Sequence, residues 1–266
     1  MISAHMLRGI WAYRGFIVGS VKREFQSKYR NSMLGAAWNI LNPLAMIVVY
    51  TVIFAQVMRA KLPGIDSSFA YSIYLCAGVL TWGLFAEITT RAQNVFLEQA
   101  NLIKKISFPR ICLPIIVVAN AILNFAIIFA LFLAFLIVSG NFPGWVLLAM
   151  LPVLAVQIAF SIGLGMILGV LNVFFRDVGQ FFAIFVQFWF WFTPIVYPAS
   201  ILPAPVQGLL AYNPLAGVIA AYQTIFVHAQ TPHWRALLPA AILGAAFCVL
   251  GLLLFRKRSG EMVDEL

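Results

Sequence analysis

Charge is scarce in this sequence. Asp and Glu number eight in 266 residues, and all charged types together reach only 9%. Soluble domains carry about 25% charged residues, so a water-soluble globular fold is excluded. Cysteine is confined to Cys76, Cys112 and Cys248, odd in number and widely spaced in apolar sequence, which supports neither a disulfide framework nor a thiolate metal site. His5, His228 and His233 lack ligand spacing, so no metal is expected. None of Lys22, Lys28, Lys61, Lys104, Lys105 and Lys257 follows a glycine, so the phosphate-cradling Gly-Lys pair of an ATP site is missing. No set of nucleophile, base and metal ligands stands out, and no internal repeat marks the common secondary-transporter plans. Before residue 31 there is no apolar run with a cleavage pattern, and the expectation is a retained N-terminus.

Hydrophobic residues make up 63% of the chain, aromatics 15%, and mean hydropathy is +0.98. That composition belongs in a membrane. Uncharged stretches of spanning length, about 20 residues each, occur at Met33–Met58, Ser67–Ala86, Leu113–Val138, Trp145–Leu171, Val178–Tyr197 and Ala236–Phe255. The expected fold is an all-α polytopic membrane protein with six transmembrane helices. The predicted parts of its single domain, 1–266, are an interface helix (1–32), spans one to five (33–197), a re-entrant segment (198–235), span six (236–255) and a tail (256–266).

The positive-inside rule orients these spans. Arg8, Arg14, Lys22, Arg23, Lys28 and Arg30 precede span one; Arg91, Lys104, Lys105 and Arg110 join spans two and three; Arg176 joins four and five; Arg256, Lys257 and Arg258 end the chain. Only Arg59, Lys61 and Arg235 fall on the other side, so both termini are predicted cytoplasmic. The net charge of +9 is therefore read as topology charge, and no nucleic-acid partner is implied. Val18, Val21, Phe25 and Tyr29 recur at helical steps, which predicts an amphipathic helix in the headgroup layer, in contact with anionic membrane lipid.

Pro198–Trp234 is uncharged but interrupted by Pro198, Pro203, Pro205, Pro214 and Pro232. A seventh span there would put Arg256–Arg258 on the wrong side, so the prediction is short re-entrant or interfacial helices. The predicted spans hold no Asp, Glu or His to relay a proton or cation. Three classes remain: a passive conduit, a lipid-embedded enzyme, or a subunit driven by a separate protein.

Span five and its exit carry nine aromatics between Phe181 and Tyr197. Ring faces stack on the apolar C–H patches of sugars, and Phe185, Phe188, Trp189, Phe192 and Tyr197 are candidates for lining a glycan conduit, with Gln180 and Gln187 on one helix face. Belt and packing roles compete for every aromatic, and interhelical hydrogen bonding competes for the glutamines. Ser161, Gly165 and Gly169 predict close helix approach, Asn120 and Asn124 predict interhelical hydrogen bonds, and Glu87 with Arg91 predicts an ion pair at the end of span two.

Three blocks, Arg23–Gly35 with Trp38–Leu44, Asn101–Arg110 with Leu113–Pro114, and Leu171–Val178 running into Phe192–Pro198, Leu202–Pro203 and Asn213–Pro214, resemble the permease subunits of bacterial ABC-2 type polysaccharide exporters. That family handles O-antigen, capsule and teichoic-acid chains. The resemblance implies a homodimer paired with two copies of a nucleotide-binding subunit that holds ATP and Mg, in the bacterial inner membrane. It also implies a channel for polysaccharide on undecaprenyl diphosphate. Glu98, Asn101, Lys104 and Lys105 become candidates for coupling to the ATPase, and Lys22, Arg23, Lys28 and Arg30 for the lipid diphosphate. The competing classes are a membrane enzyme of glycan or lipid assembly and an ABC-2 exporter of a drug or lipid.

Overall fold

The computed structural model describes residues 11–27, 37–53, 62, 69–105 and 108–265. Lys28 and Arg30 lie outside them, as does the side chain of Lys105. The helices are α1 (Arg14–Ser27), α2 (Trp38–Tyr50), α3 (Ala70–Glu98), α4 (Ala100–Lys105), α5 (Cys112–Val138), α6 (Met150–Phe174), α7 (Asp177–Trp191), α8 (Ala204–Leu210), α9 (Pro214–His228), α10 (Leu238–Arg258) and α11 (Glu261–Glu265). Short 3₁₀ turns lead into α6 and α10. No strand occurs among the described residues.

Among the described residues four helices are long and apolar enough to cross a membrane: α3, α5, and α6 and α10 with their leading turns. α8 and α9 meet at 96° and qualify only as a pair, a broken or re-entrant span, in keeping with the prolines. α2 and α7 are shorter, at 13 and 15 residues.

Two predicted boundaries are corrected. α3 does not stop near Ala86 but continues to Glu98, 29 residues or about 44 Å at 1.5 Å each. Glu87 and Arg91 therefore lie within a helix rather than at its end. α7 stops at Trp191 and not at Tyr197, because Pro194 has no N–H to give and the chain uncoils through Thr193–Tyr197. α5 ends as its sequence suggests: Gly140 takes φ +71°, and the N–H groups of Asn141 and Gly140 close on the carbonyls of Leu136 and Ile137.

α3 is the centre of the bundle, packed by α5, α6 and α9, whereas α5 and α10 turn most of their surfaces outward. α6 lies between α3 and α10, and glycines permit both approaches. A Cβ on Gly165 or Gly169 would come within 2.6 Å of Ala92 on α3. On the other side a Cβ on Gly163 would come within 2.6 Å of the Cys248 nitrogen on α10. Backbone contact this close supplies the dispersion attraction that holds helices together where the solvent is itself apolar. The predicted Gly165 and Gly169 row is found; the second face toward α10 comes from Gly163, Gly244 and Gly251.

α1 rests on α5 and on the loop before it, with the Phe16 and Phe108 rings 5.2 Å apart. Phe16, Ile17, Val21 and Phe25 are half-buried, but Val18, assigned to the apolar stripe, is exposed. The stripe is rotated because Glu24, not Val18, faces the bundle.

Candidate functional site

α7 is set by the turn that precedes it. Phe175 is extended, and Asn172 at the end of α6 spans the break. Its amide donates to the Gln93 carbonyl and the Asn94 Oδ1, each at 3.2 Å, and its Oδ1 accepts from the Gly179 N–H at 3.0 Å. A Cβ on Gly179 would lie 2.8 Å from that Oδ1, so only glycine lets α7 begin so close to α3. At 100° per residue, Phe182, Val186 and Trp189 then point inward, toward Trp82, Phe85 and Phe160. Two rows are left on the open side: Gln180, Ala183, Gln187 and Trp191, and beside them Phe181, Phe185, Phe188 and Phe192, all exposed.

The predicted conduit set divides on this geometry. Gln180, Phe185, Gln187, Phe188 and Phe192 share the open face. Trp189 turns inward: its Nε1 donates to the Asn213 Oδ1 at 3.0 Å, and its ring packs against Phe85 and Trp82. Tyr197 is half-buried in the uncoiled exit, its hydroxyl donating to the Trp191 carbonyl at 2.6 Å, so it too leaves that face.

The uncoiled exit would be costly at membrane depth unless its carbonyls found donors. The Tyr74 hydroxyl donates to the Pro194 and Tyr197 carbonyls at 3.1 and 2.9 Å, Tyr71 to Val196 at 2.8 Å, and Gln223 to Pro194 at 3.2 Å. Asn213 donates to Thr193 Oγ1 at 3.0 Å while its Oδ1 caps α9 by accepting from Leu215 N–H. Gly78 admits this uncoiled stretch, since a Cβ there would lie 3.2 Å from the Ile195 carbonyl oxygen.

At the opposite, basic end a charged cluster ties α1 to the bundle. Glu24 pairs with Arg91 of α3 and accepts from Asn120 of α5 at 2.6 Å. Arg91 also pairs with Glu87 at 3.2 Å, and Glu87 accepts from Asn124 at 2.7 Å. Two carboxylates thus share one guanidinium, with amides completing their shells. The interhelical reading of Asn120 and Asn124 holds, with acids as the partners. Glu24 was missed in the sequence, although it is the only acid before Asp66 and sits in a basic helix.

Above this cluster lies a cavity of about 410 Å³ lined by Arg23, Glu24, Arg91, Glu98, Gln99 and the apolar ends of α1 and α5. Arg23 and Glu98, assigned from sequence to separate roles, meet at one cavity. Lys22 is exposed on α1; Asn101 and Lys104 are exposed on α4. Between them on α4, Ile103 is buried in a cluster with Met262 of α11, and the Arg110 guanidinium donates to the Ser259 carbonyl. The connection from α3 to α5 is therefore held against the C-terminal segment.

Comparison with known proteins agrees with this architecture. The chain is 28% identical over 263 residues to an O-antigen export system permease protein RfbA of Myxococcus xanthus, covering 98% of this chain and 99% of the other. It is 31% identical over 242 residues to an RfbA of Klebsiella pneumoniae, covering 91% of each. It is 22% identical over 248 residues to the polysialic acid transport protein KpsM of Escherichia coli, covering 91% of this chain and 93% of that one. Residues 17–227 match the ABC-2 type transporter family, and the chain belongs to it.

Proposed function

We propose that this chain is the channel-forming permease subunit of an ATP-driven exporter that moves undecaprenyl-diphosphate-linked polysaccharide from cytoplasm to periplasm. The observation that carries the reading is the open face of α7, a glutamine row beside a phenylalanine row with no partner element among the described residues of the protomer. Amides offer hydrogen bonds and rings offer stacking to a passing sugar chain, and neither holds it as a charge would.

The relatives named O-antigen export permeases support the substrate class. Two copies of the chain close the conduit, with two ABC ATPase subunits that bind ATP and Mg, since this chain has no phosphate-binding Gly-Lys pair. The span count is six, with α2 and α7 as short spans, α8 and α9 re-entrant, and both termini cytoplasmic by the positive-inside rule. Lys22, Arg23, Lys28 and Arg30 meet the diphosphate of the carrier. Glu98, Asn101, Lys104 and Lys105 face the ATPase, whose cycle biases the conduit only through contacts that differ between its states.

Co-expression with an ABC ATPase subunit of the same host, purification in lipid nanodiscs and measurement of ATP turnover test this. The expected result is a stable complex whose turnover rises with lipid-linked glycan. Stimulation by bare lipid or by amphiphilic drugs, with none by glycan, would contradict it.

A further inference from the structure

Beside the first turn of α7 is a crevice of about 350 Å³, lined by Thr90, Gln93, Asn94, Asn172, Arg176 and Gln180 among others. Clefts that take small ligands run from roughly 300 to 1,000 Å³. Its lining gathers four side-chain amides and one hydroxyl beside Leu97, Gly179 and Ala183, with one cation at the edge.

A hydrogen-bond inventory shows what is left for a ligand. Gln93 is 3% exposed, and its Oε1 has no partner. Such an orphaned buried acceptor is costly unless a donor reaches it. Thr90 Oγ1 donates to the Ala86 carbonyl at 2.6 Å, which leaves its lone pairs available. Asn94 donates one N–H to the Thr90 carbonyl at 3.1 Å and accepts from Asn172, which leaves a second N–H. Gln180 is exposed at the rim, where the glutamine row of α7 begins.

Paired donors and acceptors without net charge match neighbouring hydroxyls, each of which both donates and accepts. We infer that this crevice is a sugar-binding subsite at the basic end of the conduit, taking one pyranose residue of the glycan through Thr90, Gln93, Asn94 and Gln180. The inference rests on the functional reading above and adds to it a place where the chain is gripped before it reaches the phenylalanine row. Arg176 at the edge suits an acidic group on that sugar or the carrier phosphate next to it.

The test uses the permease–ATPase complex in nanodiscs and the host's own O-polysaccharide, released from lipid by mild acid and labelled at its reducing end. Binding is read by fluorescence anisotropy for wild type, Asn94→Leu, Gln180→Leu and the double variant. At roughly 0.5–1.5 kcal/mol for each hydrogen bond lost, Kd should rise about 2- to 10-fold in each single variant. The double variant should lose about the product of the two. Gln180 is exposed, so its variant assembles even if the half-buried Asn94 variant does not. Wild-type affinity in Gln180→Leu and in the assembled Asn94→Leu would overturn the inference alone. A wild-type complex that neither binds the polysaccharide nor responds to its lipid-linked form would overturn the functional reading with it.

Discussion

The bundle meets the cost of buried polar groups in two different ways at two places. Around Arg91 the groups are ionic: Glu24 and Glu87 share one guanidinium, and Asn120 and Asn124 fill the remaining lone pairs. Around Thr193–Tyr197 they are neutral: bare carbonyls accept from Tyr71, Tyr74 and Gln223, while Asn213 anchors Thr193. The first joins a peripheral helix to the core through charges that water and salt reach. The second fixes irregular backbone inside the core through dipoles that salt hardly touches. Coulomb attraction acts at a distance and is screened; a hydrogen bond to a carbonyl is short-ranged and directional. The basic end is thus held by an adjustable bond and the uncoiled exit of α7 by a rigid one.

The largest effect is expected at Arg91. Arg91→Leu leaves two carboxylates without their cation, which costs 3–5 kcal/mol in fully buried pairs. The Arg91 and Glu24 side chains are 29% and 43% exposed, so the expected loss is smaller, about 1–3 kcal/mol after screening. Fluorescence-detected size exclusion after heating should show the drop, and adding Glu24→Gln should recover part of it. No recovery would mean that the two residues are not coupled.

Next is Tyr74→Phe, which keeps the ring but removes the one O–H that the Pro194 and Tyr197 carbonyls share, leaving Pro194 with Gln223. About 0.5–1.5 kcal/mol should be lost. The deficit should be the same at low and high salt, unlike that of Arg91→Leu; an equal salt response would erase the distinction between the two regions.

The smallest effect on stability is expected for Glu24→Gln, which keeps shape and amide contacts, at under about 1 kcal/mol. Its signature is electrostatic. Wild-type melting should shift with salt between 50 and 500 mM in the sense of a weakened ion pair, and the variant should respond less. Lys104→Glu with Lys105→Glu probes the same end: insertion should be retained while ATP turnover loses its dependence on glycan. Retained stimulation would remove α4 from the coupling path.

Much of this was legible in the sequence, where hydropathy and burial agree. α5 and α10 match their uncharged runs because lipid-facing helices are apolar all round. α3 was cut short because Glu87 and Arg91 lower local hydropathy, whereas in the fold each is the other's partner and the helix continues through them. The break between α8 and α9 within Pro198–Trp234 was legible from its prolines, whose missing donors act locally. The inward turn of Trp189 was not legible because an aromatic on every side of α7 hides that direction, which is set by Trp82, Phe85 and Asn213 from distant sequence. The same holds for Glu24, whose partners lie 67 and 96 residues away.

The open face of α7 is the central claim, and labelling tests it directly. The background is a chain with Cys76, Cys112 and Cys248 replaced by alanine, assembled with its ATPase partner. A Gln187→Cys variant should react with a small, charged, membrane-impermeant thiol reagent, and lipid-linked glycan engaged in the complex should protect it. A Phe182→Cys variant, on the inward side, should stay unreactive in both conditions. Reaction of Gln187→Cys only with lipid-soluble reagents, unchanged by glycan, would put the glutamine row against lipid and contradict the conduit.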